Sequence, residues 1–317
     1  MDNGPPKSLM SESHSSAQSY HHGRSSFPTL WKLHRSIIKQ IRSPRSPLPS
    51  KLTTAAQITR AHSSSWASLQ ADIEAHLKQA IPMKEPLVVF EPMHHLAFTA
   101  PRTTVPALCV AACELVGGHQ DRALPAASAL LLMQAVAYTH EHLPLTDRPR
   151  PKARGHHEYD PNIELLTGDG MIPLAFELLA RSDVPTRVDS DRILRVMVEI
   201  SRAVGSEGLV EGQYRKFVRT QLDGEANIKA EVEKGEGGMH ACGAACGAVL
   251  GDGSEEEIEK LRNYGLYVGM MQGMMRGAEN AEKGLKKELE EIRKVALGEL
   301  EFFEGRNIEV ISRFIDV

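Results

Sequence analysis

The chain has 317 residues, a formal net charge of −4 and charges on 25% of its residues, a length that fits one large domain or two small ones. The near-neutral balance gives no reason to expect nucleic acid, and no run approaches the roughly 18 consecutive apolar residues of a membrane span. Four cysteines in two close pairs, Cys109/Cys113 and Cys242/Cys246, are too few for a disulfide framework in so long a chain.

The first 62 residues differ in kind from the rest. Asp2 and Glu12 are their acidic residues, while Arg24, Lys32, Arg35, Lys39, Arg42, Arg45, Lys51 and Arg60 are scattered among serines. A basic, Ser-rich, acid-poor leader reads as an organelle transit peptide or as a disordered basic tail; Trp31 to Ile41 carries a weak amphipathic pattern. Residues 1–62 are therefore set apart from a folded domain at 63–317, with the plastid (chloroplast) or the mitochondrion as the expected address.

The folded part is expected to open with Ser63-Ser64-Ser65 as N-cap candidates before a helix whose Trp66, Leu69, Ile73 and Leu77 share one face. Pro82 and Pro86 end it. Helices follow over Val88–Phe98 and Val105–Val116, the second stopped by Gly117-Gly118. Leu124–His142 is apolar on nearly all sides and reads as a buried central helix. Asn162–Ala180 is similar, with Gly168, Gly170 and Pro173 expected to interrupt it. Asp191–Ala203 is amphipathic, Met239–Leu250 is rich in Ala, Gly and Cys, and Glu255–Met275 and Lys283–Phe303 complete the series. Arg219–Gly238 is polar and glycine-bearing and receives no assignment. Little Val, Ile and aromatic alternation is present, and the reading is an all-α bundle of about eight to ten helices.

Several segments together carry a resemblance. Cys109-Val110-Ala111-Ala112-Cys113-Glu114-Leu115-Val116-Gly117-Gly118 resembles a segment of plant geranylgeranyl diphosphate synthases and their partner subunits. His140-Glu141-His142-Leu143-Pro144-Leu145-Thr146-Asp147 resembles the first aspartate-rich motif of trans-prenyltransferases, H-D-D-L-P-x-x-D. Leu165-Leu166-Thr167-Gly168-Asp169 resembles the family's L-A-G-D and Gly212-Gln213 its G-Q. Met239 to Gly247 and Leu261 to Tyr267 are similar to the small subunit of heteromeric geranyl diphosphate synthase. The resemblance covers about Trp66 to Met275 and implies the isoprenoid-synthase helical bundle.

It also implies a site whose ligands have been replaced. The family holds magnesium ions between two carboxylate walls, and magnesium takes octahedral oxygen ligands. In the first wall Glu141 and Asp147 keep a carboxylate, but His142 stands at a central aspartate. The second wall, D-D-x-x-D, falls on Arg276-Gly277-Ala278-Glu279-Asn280, so that Arg276, Gly277 and Asn280 stand where ligands should be. The isopentenyl diphosphate motif G-G-K-R-x-R-P falls on Ala100 to Pro106, where Arg102 is the remaining cation and Thr103 and Val105 replace others. A Lys-Thr pair of the family falls on Gly235-Glu236. His140, His142, His156 and His157 read as ordinary helix-end and loop residues, with a divergent zinc site from Glu141, His142 and Asp147 as the alternative.

Each cysteine pair spans about one helical turn and shares a face. The thiols read as small core hydrophobes, as a partner-facing surface, or as a four-thiolate zinc site; the resemblance points to Cys109, Cys113, Cys242 and Cys246 as partner-binding. What it implies overall is a subunit with no catalytic residues, metal or cofactor of its own. It binds a geranyl(geranyl) diphosphate synthase large subunit, which carries Mg2+, in a heterodimer or heterotetramer, and steers its product to geranyl diphosphate. A recruiter that raises geranylgeranyl diphosphate output and an active short-chain prenyltransferase with an altered metal site are the alternatives.

Overall fold

The computed structural model describes residues 55–143, 158–182, 190–221, 228–277 and 283–316, all within one compact unit, Ala55–Val317. Twelve α-helices run through these residues: α1 Ala55–Ala80, α2 Leu87–Thr99, α3 Val105–Leu115, α4 Gln120–His142, α5 Pro161–Arg181, α6 Ser190–Val204, α7 Leu209–Gln221, α8 Ile228–Val232, α9 Gly238–Leu250, α10 Glu255–Gly277, α11 Lys283–Leu300 and α12 Glu309–Ser312. A π-turn, Glu233–Gly237, joins α8 to α9, and 3-10 turns at Glu301–Phe303 and Arg313–Ile315 close the chain. Among the described residues there is no strand, and no helix is long and apolar enough to cross a membrane.

Helix α1 begins at Ala55, ahead of the Ser63–Ser65 start that the sequence suggests. Serine costs only a few tenths of a kcal/mol in a helix interior, too little to stop one that an Ala-rich turn has begun. Helix α5 is likewise continuous through Gly168, Gly170 and Pro173. Gly168 is there for contact: a Cβ on it would lie 2.6 Å from His140 Nε2 on α4. The helix starts and stops follow local chemistry. Pro161 follows the N-cap Asp160, whose side chain accepts from Asn162 N at 2.9 Å. Ser254 and Glu257 form a reciprocal capping box at α10, with Ser254 N donating to Glu257 Oε2 at 2.6 Å and Glu257 N to Ser254 Oγ at 3.3 Å. Gly117, at φ 99°, ends α3 in the left-handed region.

The centre of the molecule is the stack α3–α9–α10, with α4 alongside. Every residue of α9 from Met239 to Leu250 is buried. Three glycines one turn apart, two on α9 and Gly251 at its C-cap, make this possible. A Cβ on Gly243 would lie 2.8 Å from Val105 Cγ1, one on Gly247 1.9 Å from the Cys109 carbonyl oxygen, and one on Gly251 2.5 Å from the Cys113 carbonyl oxygen. Helix α10 repeats the device towards its other neighbour. Cβ atoms on Gly265, Gly269 and Gly273 would fall 2.4 Å from the His240 carbonyl, 2.4 Å from the Glu236 carbonyl and 2.5 Å from Val232 Cγ1. Backbones therefore approach to where no side chain fits, and dispersion contacts replace side-chain interdigitation.

Helix α6 is fastened to this stack by a row of ion pairs. Arg192 bonds Asp252 and donates to the Val249 carbonyl at 2.9 Å. Arg195 forks onto Glu255 at 2.5 and 2.7 Å, and Arg262 onto Glu199 at 2.7 and 2.8 Å. Burial raises the Glu199 pKa, but the paired hydrogen bonds and charge of Arg262 outweigh it and hold the carboxyl below its ordinary value.

Three substitutions test the packing and pairing of this stack. A folded-state pKa below the unfolded one contributes stability that is present above the unfolded carboxylate range and is lost as pH falls through the folded value. Glu199→Gln is expected to cost about 1–3 kcal/mol at neutral pH and to flatten the acid limb of a denaturant-melt pH series. Gly247→Ala is expected to cost about 3 kcal/mol or more, because a backbone carbonyl must move. Gly298→Ala, in the open on α11 with nothing within 4 Å, is expected to gain about 0.5–1 kcal/mol in the same melt.

Candidate functional site

A cavity of about 470 Å³ opens between the C-terminal end of α4, helix α7, the α8–π-turn segment and the end of α10. The first motif delivers Glu141 and His142 to its wall, and the second delivers Arg276. The structure thus brings residues of both motifs to one cavity. Asp147 and Asn280 lie outside the described residues, as do His156 and His157, and Gly277 is the last residue of α10.

Among the described residues, the cavity is lined by three cations and three carboxylates in matched pairs. Lys216 on α7 bonds Glu141 on α4. Arg219 on α7 forks onto Glu231 on α8, at 2.7 and 3.0 Å. Arg276 on α10 reaches Glu236 of the π-turn at 2.6 Å. Lys216, Arg219 and Arg276 against Glu141, Glu231 and Glu236 make this set neutral. Each pair is partly exposed, so it contributes on the order of 1 kcal/mol or less to stability. Its consequence is electrostatic: the oxygens that would ligate a divalent ion already face an ammonium or a guanidinium.

Tested against magnesium, these residues do not fit. A hard divalent ion needs several free oxygens in octahedral array. Here Glu141 has Lys216, His142 turns its Nδ1 to the Tyr138 carbonyl at 2.7 Å and lies on the Tyr138 ring with centroids 4.1 Å apart, and Arg276 puts a positive charge on the opposite wall. No group of three or more His, Cys, Asp and Glu side chains suited to a metal occurs among the described residues. His140 Nε2 is buried without a hydrogen bond, 3.5 Å from Asp169.

The residues matching the isopentenyl diphosphate motif have structural partners. Arg102 pairs with Glu74 of α1 at 2.6 Å, Thr103 bonds Gln134 of α4, and Val105 is buried at the start of α3 against Gly243. Below the cavity runs a polar chain that sequence reading did not find. His240 Nδ1 donates to the Glu236 carbonyl at 2.7 Å and its Nε2 meets Thr104 Oγ1 at 2.9 Å. Thr104 donates to Gln272 Oε1 at 2.9 Å, and Gln272 Nε2 to the Phe314 carbonyl at 3.1 Å. Complete burial lowers the His240 pKa, with the Glu236 carboxylate opposing and Arg276 assisting. The chain ties the π-turn to the C-terminus. Its members are far apart in sequence, and only the histidine within a Gly-Ala-Cys helix hinted at it.

The cysteines lie where the core-hydrophobe reading puts them. Cys109, Cys113, Cys242 and Cys246 are all buried where α3 crosses α9, in the chain's own core. Cys242 and Cys246 Sγ are 3.8 Å apart. Direct contact of these thiols with another subunit requires α3 or α9 to open, so any effect on association runs through the packing of these helices. Burial raises the Cys109 pKa well above the ordinary thiol value and pushes Cys113 up to about 12; for Cys246 the hydrogen bond to Cys242 and burial do the same.

No protein-family model matches the chain. Among curated proteins, a chloroplastic small subunit of heterodimeric geranylgeranyl pyrophosphate synthase from Cannabis sativa is 51% identical over 261 residues, spanning 80% of this chain and 91% of its own length. Among solved structures, the geranyl diphosphate synthase small subunit from Antirrhinum majus superposes with a TM-score of 0.74 at 52% identity, covering 81% of this chain and 99% of that one. A chain of a heterotetrameric geranyl pyrophosphate synthase from mint gives a TM-score of 0.71 at 47% identity, covering 80% and 99%. The architecture is the isoprenoid-synthase helical bundle. Within that class, the chain belongs to the family of small subunits of heteromeric geranyl and geranylgeranyl diphosphate synthases.

The native protein is expected to leave all four thiols unmodified by an aromatic disulfide reagent at neutral pH, and to expose four per chain in denaturant. Thiolate is the reactive form, and burial withholds both it and access. Fast labelling of any cysteine in the folded chain counters this placement.

Proposed function

We propose that this chain is a non-catalytic regulatory subunit of the plastid. It docks on a geranyl(geranyl) diphosphate synthase large subunit, as a heterodimer or heterotetramer, and steers that subunit's product to the ten-carbon geranyl diphosphate. Mg2+ and both substrates are assigned to the partner. The observation that carries the non-catalytic reading is the set of three ion pairs in the cavity. Prenyl transfer begins when an allylic diphosphate ionises, and divalent cations held by carboxylates stabilise the departing pyrophosphate. That assistance is worth several kcal/mol, and about 1.4 kcal/mol is tenfold in rate. In this chain Lys216 and Arg276 hold Glu141 and Glu236, and no described residue of the cavity spares the oxygens to gather the ions.

The partner requirement is supported by the relatives, whose names describe subunits of heterodimeric and heterotetrameric synthases. Their names also describe chloroplast proteins, in agreement with the basic, acid-poor leader. Steering acts through differential affinity: a subunit that binds the partner's short-product state more tightly shifts the population towards that state. The names divide between geranyl and geranylgeranyl products, which gives the recruiter reading its support.

One experiment separates these. The purified chain, incubated with isopentenyl and dimethylallyl diphosphates and Mg2+, is expected to form no prenyl product. Mixed with a plastid geranylgeranyl diphosphate synthase, it is expected to move the product from twenty carbons to ten by chromatographic chain-length analysis. A rise in twenty-carbon product selects the recruiter, and turnover by the chain alone refutes the non-catalytic reading.

A further inference from the structure

The polar chain from His240 through Thr104 and Gln272 to Phe314 has four contacts, and each needs one proton. The ring nitrogen Nδ1 lies 2.7 Å from the Glu236 carbonyl, and Nε2 lies 2.9 Å from Thr104 Oγ1. Thr104 Oγ1 lies 2.9 Å from Gln272 Oε1, and Gln272 Nε2 lies 3.1 Å from the Phe314 carbonyl. Carbonyl oxygens only accept, so the first contact takes its proton from the imidazole and the last from the Gln272 amide. With that amide nitrogen turned to Phe314, Oε1 faces Thr104, and the single hydroxyl proton is spent on it. The remaining contact, Nε2 to Oγ1, then closes only if Nε2 also carries a proton. Turning the Gln272 amide over does not help: its nitrogen then feeds Thr104, but Oε1 is set against the Phe314 carbonyl. A neutral imidazole thus supplies one proton too few, and an imidazolium completes all four contacts.

The shortage falls where water does not make it good, because His240 is fully buried. Burial opposes a charge on the ring and is the largest influence on it. Among the described residues, the charged groups acting on it are Glu236 of the π-turn, which favours the proton, and Arg276 of α10, which resists it. The proton is therefore taken up below the ordinary histidine range. At neutral pH the chain is one bond short.

We propose that His240 is a proton-operated latch: uptake of a proton at Nε2 completes the chain and ties the π-turn that lines the cavity to the C-terminal turn at Arg313–Ile315, and its release leaves that tie incomplete. The latch reaches the cavity itself. Glu236, whose carbonyl takes the Nδ1 proton, pairs through its carboxylate with Arg276, and Arg276 Nε donates to the Gln272 carbonyl at 3.4 Å. Linkage fixes the sign. The folded chain holds this proton less readily than the unfolded one, so acidification below the ordinary histidine value lowers global stability. The latch is governed by a different comparison, between the tied and the loosened turn of the folded chain, and there the proton favours the tied form.

The test is nuclear magnetic resonance of the full chain with isotope-labelled histidine, which reads the protonation of each ring nitrogen. It is paired with amide hydrogen exchange of the C-terminal turn, corrected for the intrinsic pH dependence of exchange. Wild type is expected to carry a proton on Nδ1 alone at neutral pH and on both nitrogens at mildly acid pH, with exchange in Arg313–Ile315 slowing in step. The ion pairs Arg293–Asp316 and Arg313–Glu309 weaken as their carboxylates protonate, which has the opposite sign and does not imitate this. Gln272→Leu releases the Thr104 hydroxyl to a neutral Nε2, so its His240 is expected to bind the proton roughly tenfold more weakly. Thr104→Val is expected to do the same by removing the acceptor of the Nε2 proton, and Thr104→Ser to keep wild-type behaviour. A purely structural role for these side chains would change the melt and leave the titration of His240 alone. A His240 that stays neutral down to acid unfolding overturns the proposal. So does one that titrates identically in wild type and Gln272→Leu, or a C-terminal turn whose exchange is indifferent to the charge on the ring.

Discussion

The close approach of α9 to α3 and α10 is the constraint on which the rest of the structure depends. Gly243, Gly247 and Gly251 let α9 press on the backbone of α3, and Gly265, Gly269 and Gly273 let α10 press on α9 and the π-turn. No larger residue fits at these points, so the stack has one register. That register carries His240 to Thr104 and Gln272, and through Gln272 to the C-terminal turn. It also fixes where Arg276 emerges relative to Glu236. The cysteines belong to this stack: small, adaptable and weakly polar, they fill the crossing without needing hydrogen-bond partners.

The cavity gathers charge from helices that are far apart in the chain. Helices α4 and α10 present their ends to one space. The positive charge there comes from the chain's own Lys216, Arg219 and Arg276. A fold held by apolar burial in α3, α4 and α9 does not depend on these pairs, because partly exposed ion pairs contribute little to stability.

Much of the bundle was legible before any coordinates. The apolar runs of α3, α4 and α9 and the two-faced α6 gave helices whose observed ends differ from expectation by a few residues. Gly117-Gly118 marked a stop because only a left-handed residue ends α3 there. Helix α7 and the π-turn were missed for opposite reasons. The apolar stripe of α7 is short and faces solvent, so it lacks the signature of a buried helix. The Glu233–Gly237 turn is polar and glycine-bearing, and it is held by α10 contacts that lie more than thirty residues away in sequence. The cysteine spacing was legible as a shared helical face, but which side of the helix met the core was not.

The sequence by itself determined the helical class and the family frame, since residue type and spacing along one segment suffice for each. Only the tertiary structure decided that Lys216, Arg219 and Arg276 answer Glu141, Glu231 and Glu236, that the thiols lie inside, and that α7 turns its aromatic side outward. Charge pairing, burial and facing are relations between segments distant in the chain. They exist only once the glycine-lined contacts of α9 and α10 have set the helices at fixed distances from one another.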